Sequence, residues 1–138
     1  MNKDKIVAVL EAEQALVGDS LVSSVKRCGH AGRCAIGALL FAEGVTDAEL
    51  WRLEERHADV GATPDEWWED ESPRLGKTYG SVLEDGYGLS EGEAGQIVVE
   101  NDGPSCSAFR EVEFGGVSDW KRDRIRARCV IDFVRNEL

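Results

Sequence analysis

No stretch of this chain is apolar for long enough to cross a bilayer. The longest run free of charge and strong breakers, Cys34-Ala35-Ile36-Gly37-Ala38-Leu39-Leu40-Phe41-Ala42, is less than half of the roughly 20 residues a membrane helix needs. A leader-like apolar region is missing too: Met1-Asn2-Lys3-Asp4-Lys5 passes straight into an amphipathic stretch carrying Glu11 and Glu13, so a cytoplasmic location without membrane contact is expected. In that setting Cys28, Cys34, Cys106 and Cys129 are expected as free thiols rather than as a disulfide framework. Paired ligand motifs are lacking. Cys28-x-His30-x-x-x-Cys34 is a single cluster, with only His57, Cys106 or Cys129 to complete it, and the alternating oxygen-ligand loop of a calcium site is absent, so no metal or other cofactor is expected. Positive charge is scarce, with Lys+Arg at 16 against Asp+Glu at 27 and a net charge of -11, which argues against direct binding to a phosphate backbone. No repeat, low-complexity tract or linker divides residues 1–138, and one domain is expected.

What is present is ordinary globular composition, 42% hydrophobic and 31% charged in 138 residues, enough to bury a core without a stapling metal. The charge is unevenly spread. Ten carboxylates face two arginines between Asp47 and Glu71, six carboxylates and no base lie between Glu84 and Asp102, and the balance reverses after Ser118. Charge on this scale acts on solubility, steering and partner choice.

The periodicity predicts a mainly α domain of five or six helices around the Cys34–Ala42 helix, which is apolar on every side and therefore central. A first helix is predicted over Lys3–Val17. Leu21–Arg27 fits a strand or a helical turn equally, and Gly29–Gly32 reads as a turn. Thr46-Asp47-Ala48-Glu49, Thr63-Pro64-Asp65-Glu66 and Ser90-Glu91-Gly92-Glu93 carry the capping-box pattern, in which hydroxyl and carboxylate each satisfy a free backbone N–H. Leu50, Trp51 and Leu53, with His57 at the end, form the apolar side of the helix begun by Thr46, and Ile97, Val98 and Val99 pack the one begun by Ser90. Ser72-Pro73 predicts a further start. Asn101-Asp102-Gly103-Pro104 reads as a stop, Phe109–Phe114 as a small β element, and Ser118 onward as a last helix with an apolar face (Trp120, Ile125, Cys129, Val130, Phe133, Val134) and an arginine face.

Cys34-Ala35-Ile36-Gly37-Ala38-Leu39, then Tyr87-Gly88-Leu89-Ser90, then Asn101-Asp102, resembles a loose group of short bacterial and phage proteins with a Cys-x-aliphatic-Gly-x-Leu helix, a Gly-Leu-Ser/Thr helix and an Asn-Asp turn. The resemblance spans about Arg33 to Asp102. It implies an α-rich fold and a phage or mobile-element setting, and it carries over no activity.

Two groups of residues invite chemistry. Cys34 falls in the first turn of the central helix, where the helix end and Arg33 favour a thiolate and His30 is near in sequence, the pattern of a small cysteine-dependent enzyme. The plainer reading is a core cysteine. Asp65-Glu66-Trp67-Trp68-Glu69-Asp70-Glu71 sets two tryptophans among carboxylates, and one of the two is expected to be partly exposed or to lie across a neighbour. The leading expectation is therefore a non-enzymatic, inhibitor-like acidic protein of phage or mobile-element type. It would occupy a basic surface of a host protein, such as a nucleic-acid-binding one, through Asp65, Glu66, Trp67, Trp68, Glu69, Asp70 and Glu71. The cysteine-dependent enzyme with Cys34 and His30 is the alternative.

Overall fold

The computed structural model describes the chain apart from residues 14, 19, 28, 29, 60–62 and 114–117, and the side chains of 24–31 and 112–113. It is mainly helical. Helix α1 (Lys3–Glu13) is followed by an antiparallel pair, β1 (Ser23–Arg27) and β2 (His30–Gly32), and then by α2 (Ala35–Ala42). Residues Ala35 to Leu40 of α2 are all buried, as expected of a helix apolar all round. The last turn departs from that expectation, because Phe41 and Ala42 are exposed. Gly44, at φ 105°, then takes the left-handed position that ends α2, a conformation a residue with Cβ rarely adopts.

Two glycines admit close neighbours, a backbone at one and an indole ring at the other. A Cβ on Gly37 would stand 2.0 Å from the Leu21 carbonyl oxygen, so the segment before β1 lies directly on α2. On Gly80 it would meet Trp68 Nε1 at 2.4 Å. Around α2 pack α1, α5 (Tyr79–Tyr87) and α6 (Glu91–Asp102), with α8 (Asp119–Glu137) closing the far side against α1 and α6. Ile6 and Leu10 of α1, Ile36, Leu39 and Leu40 of α2, Leu83 and Tyr87 of α5, Ile97 of α6 and Val130 and Val134 of α8 are fully or almost fully buried. Losing any one of these aliphatic side chains to alanine costs about 2–5 kcal/mol. Tyr87 donates its hydroxyl to the Leu39 carbonyl at 2.7 Å, so its polar tip is satisfied inside the core.

Several predicted elements come out differently. The first helix stops at Glu13; residues 15–17 stay buried but send their backbone elsewhere, Leu16 N–H to the Asp123 carbonyl and Val17 N–H to the Arg33 carbonyl. Leu21–Arg27 contributes a strand. Ser72 starts no helix: it lies in β3 (Glu71–Ser72), which pairs with β4 (Lys77–Thr78) across a turn containing Gly76 at φ 67°, and Thr78 caps α5 instead. Asn101 and Asp102 belong to the last turn of α6 rather than to a loop. The β element predicted near Phe109–Phe114 is a helix, α7 (Ser107–Glu113), with Phe109 buried; Phe114 lies outside the described residues. Among the described residues the helical segments number eight, counting the four-residue α4 (Pro64–Trp67).

The three cap patterns also differ. Ser90 and Glu93 close a full capping box. Thr46 accepts the Glu49 N–H, opening α3 (Asp47–Arg56), but the Glu49 carboxylate turns inward to other partners. Thr63 caps no N–H and donates to Asp65 instead.

Candidate functional site

The start of α2 gathers Cys34, Ala35, Gly37 and Asn101 into one knot. Cys34 is the N-cap, and its sulfur accepts the Gly37 N–H at 3.4 Å. Ala35 N–H, a free donor in any helix, is taken by Asn101 Oδ1 at 3.0 Å, while Asn101 Nδ2 donates to the Val17 carbonyl at 2.9 Å. The Asn101 carbonyl accepts from Arg126 Nη1 at 2.5 Å, and the Arg126 guanidinium lies 4.7 Å over the Phe109 ring. Asn101 is fully buried and joins the end of α6 to the start of α2, the segment after α1, and α8. Cys34, Gly37 and Asn101 are thus parts of a folding device.

That geometry removes the basis for a reactive thiolate. Burial pushes the Cys34 thiol up to about 12, against the weaker lowering effect of the Gly37 and Ile36 N–H groups, and the Asp102 and Glu54 carboxylates add to the rise. Desolvation outweighs the helix end, in line with the plainer reading of Cys34 as a core cysteine. Arg33, expected to assist, points away: its Nε and Nη2 hold Asp47 at 2.8 and 2.9 Å, its Nη1 holds Glu13 at 3.0 Å, and it stacks 3.6 Å over Phe41. Burial opposes the Arg33 charge, but Asp47 and Glu13 more than offset it, so the group is held above its ordinary value. The His30 side chain lies outside the described residues.

Cys106 and Cys129 are not free thiols. They are joined in a disulfide with Cα atoms 6.1 Å apart, tying the segment before α7 to α8. Cys34 is the free cysteine among the described residues, and Cys28 lies outside them. The expectation of free thiols, which followed from the expected cytoplasmic setting, is thus corrected for this pair. No helix of the described chain is long and apolar enough to cross a membrane. Among the described residues no group of three His, Cys, Asp or Glu is arranged to hold a metal ion.

The acidic segment splits between core and surface. Trp67 is 0% and Trp68 7% exposed, so neither anchors a partner from the surface. Of the two alternatives, partial exposure or lying across a neighbour, the second holds: α4 is so short that Trp68 leaves it as the C-cap, Trp67 enters the core edge-on to Tyr79, and Trp68 lies across α5 over Gly80. Asp70 is also engaged, accepting from Arg56 at 3.2 Å and facing His57 Nε2 at 2.8 Å. Asp65, Glu66, Glu69 and Glu71 remain exposed, and none forms an ion pair with a described residue. Beneath them, Glu49 is buried and accepts from Ser72 Oγ at 2.6 Å and Tyr79 Oη at 3.1 Å, holding the β3–β4 hairpin and α5 to α3. Burial, then the Glu49 charge, pushes the Tyr79 hydroxyl up to about 12, so it stays a donor.

The exposed apolar residues fall where the sequence reading put core. Trp51 is 46% and Val99 72% exposed. Helical spacing held the signal: Val99 stands two residues from Ile97, on the side of α6 opposite the buried Ala94, Ile97 and Asn101. In α8, Lys121, Arg124 and Arg128 face solvent, but Arg126 is buried, so the arginine face is not uniform.

No protein-family model, curated protein or solved structure matches this chain.

Proposed function

We propose that this protein is a small acidic binding protein, inhibitor-like in action, that occupies a basic surface of a partner protein, such as the nucleic-acid-binding surface of a host protein. The observation that carries the reading is the edge made by α4 and the start of β3, where Asp65, Glu66, Glu69 and Glu71 are exposed without an ion pair to any described residue while the neighbouring tryptophans fix the backbone from inside. A net charge of -11 accelerates encounter with a basic partner and repels nucleic acid itself. Trp67 and Trp68 serve as the rigid underside of this surface rather than as contacts. The likeness of the motifs to short phage proteins supports a phage or mobile-element origin.

The test is charge reversal at residues that hold nothing else together. Glu66→Lys, Glu69→Lys and Glu71→Lys combined should abolish salt-sensitive retention on an immobilised basic protein domain such as a nuclease, with the circular dichroism spectrum unchanged. Retention that survives the triple reversal would sink the reading.

A further inference from the structure

We infer that the groove between α4, α6 and α8 seats a basic amphipathic helix of the partner. This rests on the acidic-binding reading above and gives that surface an apolar anchor. The groove has a volume of about 710 Å³, and Pro64, Val98, Val99 and Phe133 supply its apolar lining. Val99 is 72% exposed there, the most exposed large apolar residue among those described. Asp65, Glu91 and Glu100 are the charged residues of the lining, which has no lysine or arginine. Glu100 is held by Ser105, leaving Asp65 and Glu91 open at the rim. Asp65 also belongs to the acidic edge, so groove and edge are continuous.

The glycines of α6 point the same way. Gly95 and Gly92 lie four and seven residues before Val99, on one helix face. Glycine weakens a helix interior unless something requires it. At Gly37 and Gly80 a Cβ would run into the Leu21 backbone and the buried Trp68 ring, so packing within the chain requires them. At Gly92 and Gly95 a Cβ would meet nothing within 4 Å. Their bareness opens the α6 backbone to a body approaching from outside, over the two turns that a helix laid in a groove engages at i, i+4 and i+7. An apolar stripe flanked by Lys and Arg matches a floor of valine and proline with a carboxylate rim. A second copy of this chain fits less well, since two bodies of charge -11 repel.

The experiment titrates the full chain against a fluorescein-labelled Leu/Lys peptide of about 18 residues, five helical turns, with its leucines on one face. A control peptide has the same composition and scrambled leucine positions. Anisotropy should show the amphipathic peptide binding about tenfold tighter than the control. Val99→Glu should weaken the amphipathic peptide by about tenfold although it adds an acid, whereas charge attraction alone would tighten it. Gly95→Ala should raise Tm and still weaken binding. Equal affinity for the two peptides, tighter binding by Val99→Glu, or a lower Tm with unchanged affinity in Gly95→Ala would overturn the groove. So would a dimer in sedimentation that Val99→Glu dissociates, because the groove would then hold a second copy. Glu69→Lys with Glu71→Lys, both off the groove, separates the two proposals. If that pair weakens both peptides equally while Val99→Glu changes nothing, the acidic edge stands and the groove falls; if it changes neither peptide, the acidic reading itself falls.

Discussion

At the start of α2, Cys34, Ala35 and Asn101 direct their polar groups inward and each finds a partner, whereas along α4, the start of β3 and α6, Asp65, Glu66, Glu69, Glu71 and Glu91 face solvent beside a bare valine. The first region carries the more suggestive motif, with a cysteine at a helix end beside an arginine, and is chemically quiet. The second carries no motif and has the unspent groups. A cysteine at a helix terminus becomes a nucleophile only where water or a cation supports the thiolate. Here Cys34 is buried, its sulfur takes the Gly37 N–H, and the neighbouring Ala35 N–H is already held by Asn101. Free-energy demands on the two regions therefore differ: substitutions at the first should act on folding and those at the second on association.

The comparison breaks most easily at Gly37. Gly37→Ala puts a methyl 2.0 Å from the Leu21 carbonyl, and backbone cannot swing aside as a flexible side chain would. The expected loss is about 3 kcal/mol or more, read as a fall in the urea midpoint at unchanged slope. Next is Asn101→Leu, close in size, which leaves the Ala35 N–H and the Val17 carbonyl buried without their partner. Each orphaned group costs about 1–3 kcal/mol, and chemical denaturation should show a loss in that range or above it. A neutral outcome at either position would mean that the α2 knot is not what holds the fold together.

These sites also mark what could be read in advance. The central helix was legible because no polar residue interrupts Cys34–Ala42, and the Ser90–Glu93 box because it is local chemistry that needs no distant partner. Asn101 was read as a turn residue because propensity reports its usual competition with the backbone; only the arrival of α2 supplies the Ala35 N–H that makes it a helical residue worth burying. Phe109 suggested a strand by alternation, but its segment is short, and the disulfide from Cys106 to Cys129 ties it down beside α8 as a helix. Of the acidic segment, the carboxylates were legible as surface. The fate of the tryptophans depended on Gly80, twelve residues further on, being bare enough to receive Trp68.

A smaller effect is expected from pH. The Cys34 and Tyr79 protons are held more firmly in the folded chain than in the unfolded one, because burial disfavours both anions. Their contribution to stability is therefore complete below the ordinary thiol value of 9.0 and the ordinary phenol value of 10.0, and it drains away as pH rises toward about 12. Tm should fall across that alkaline window, and Cys34→Ala should fall less steeply because the thiol's share is gone. Iodoacetamide should leave Cys34 unmodified in the folded protein through neutral pH and label it once urea unfolds the chain. Rapid labelling at pH 7 would reopen the cysteine chemistry that the α2 knot closes.

The smallest effect on stability, and the sharpest contrast, belongs to Glu69→Lys with Glu71→Lys. Neither carboxylate holds a described residue in an ion pair, and both are exposed, so the double variant should unfold within about 0.5 kcal/mol of the parent. Relieving part of a charge of -11 should add a slight gain at low salt, since the acids of this edge repel one another in the folded state and less so when the chain expands. The same two substitutions remove two negative charges and add two positive ones on the surface that a basic partner would meet. Raising the salt concentration should narrow the difference in partner affinity between parent and variant, because screening weakens only what the carboxylates contribute. Affinity that parent and variant share, and that survives high salt, would locate the remaining binding energy in the apolar groove beside them.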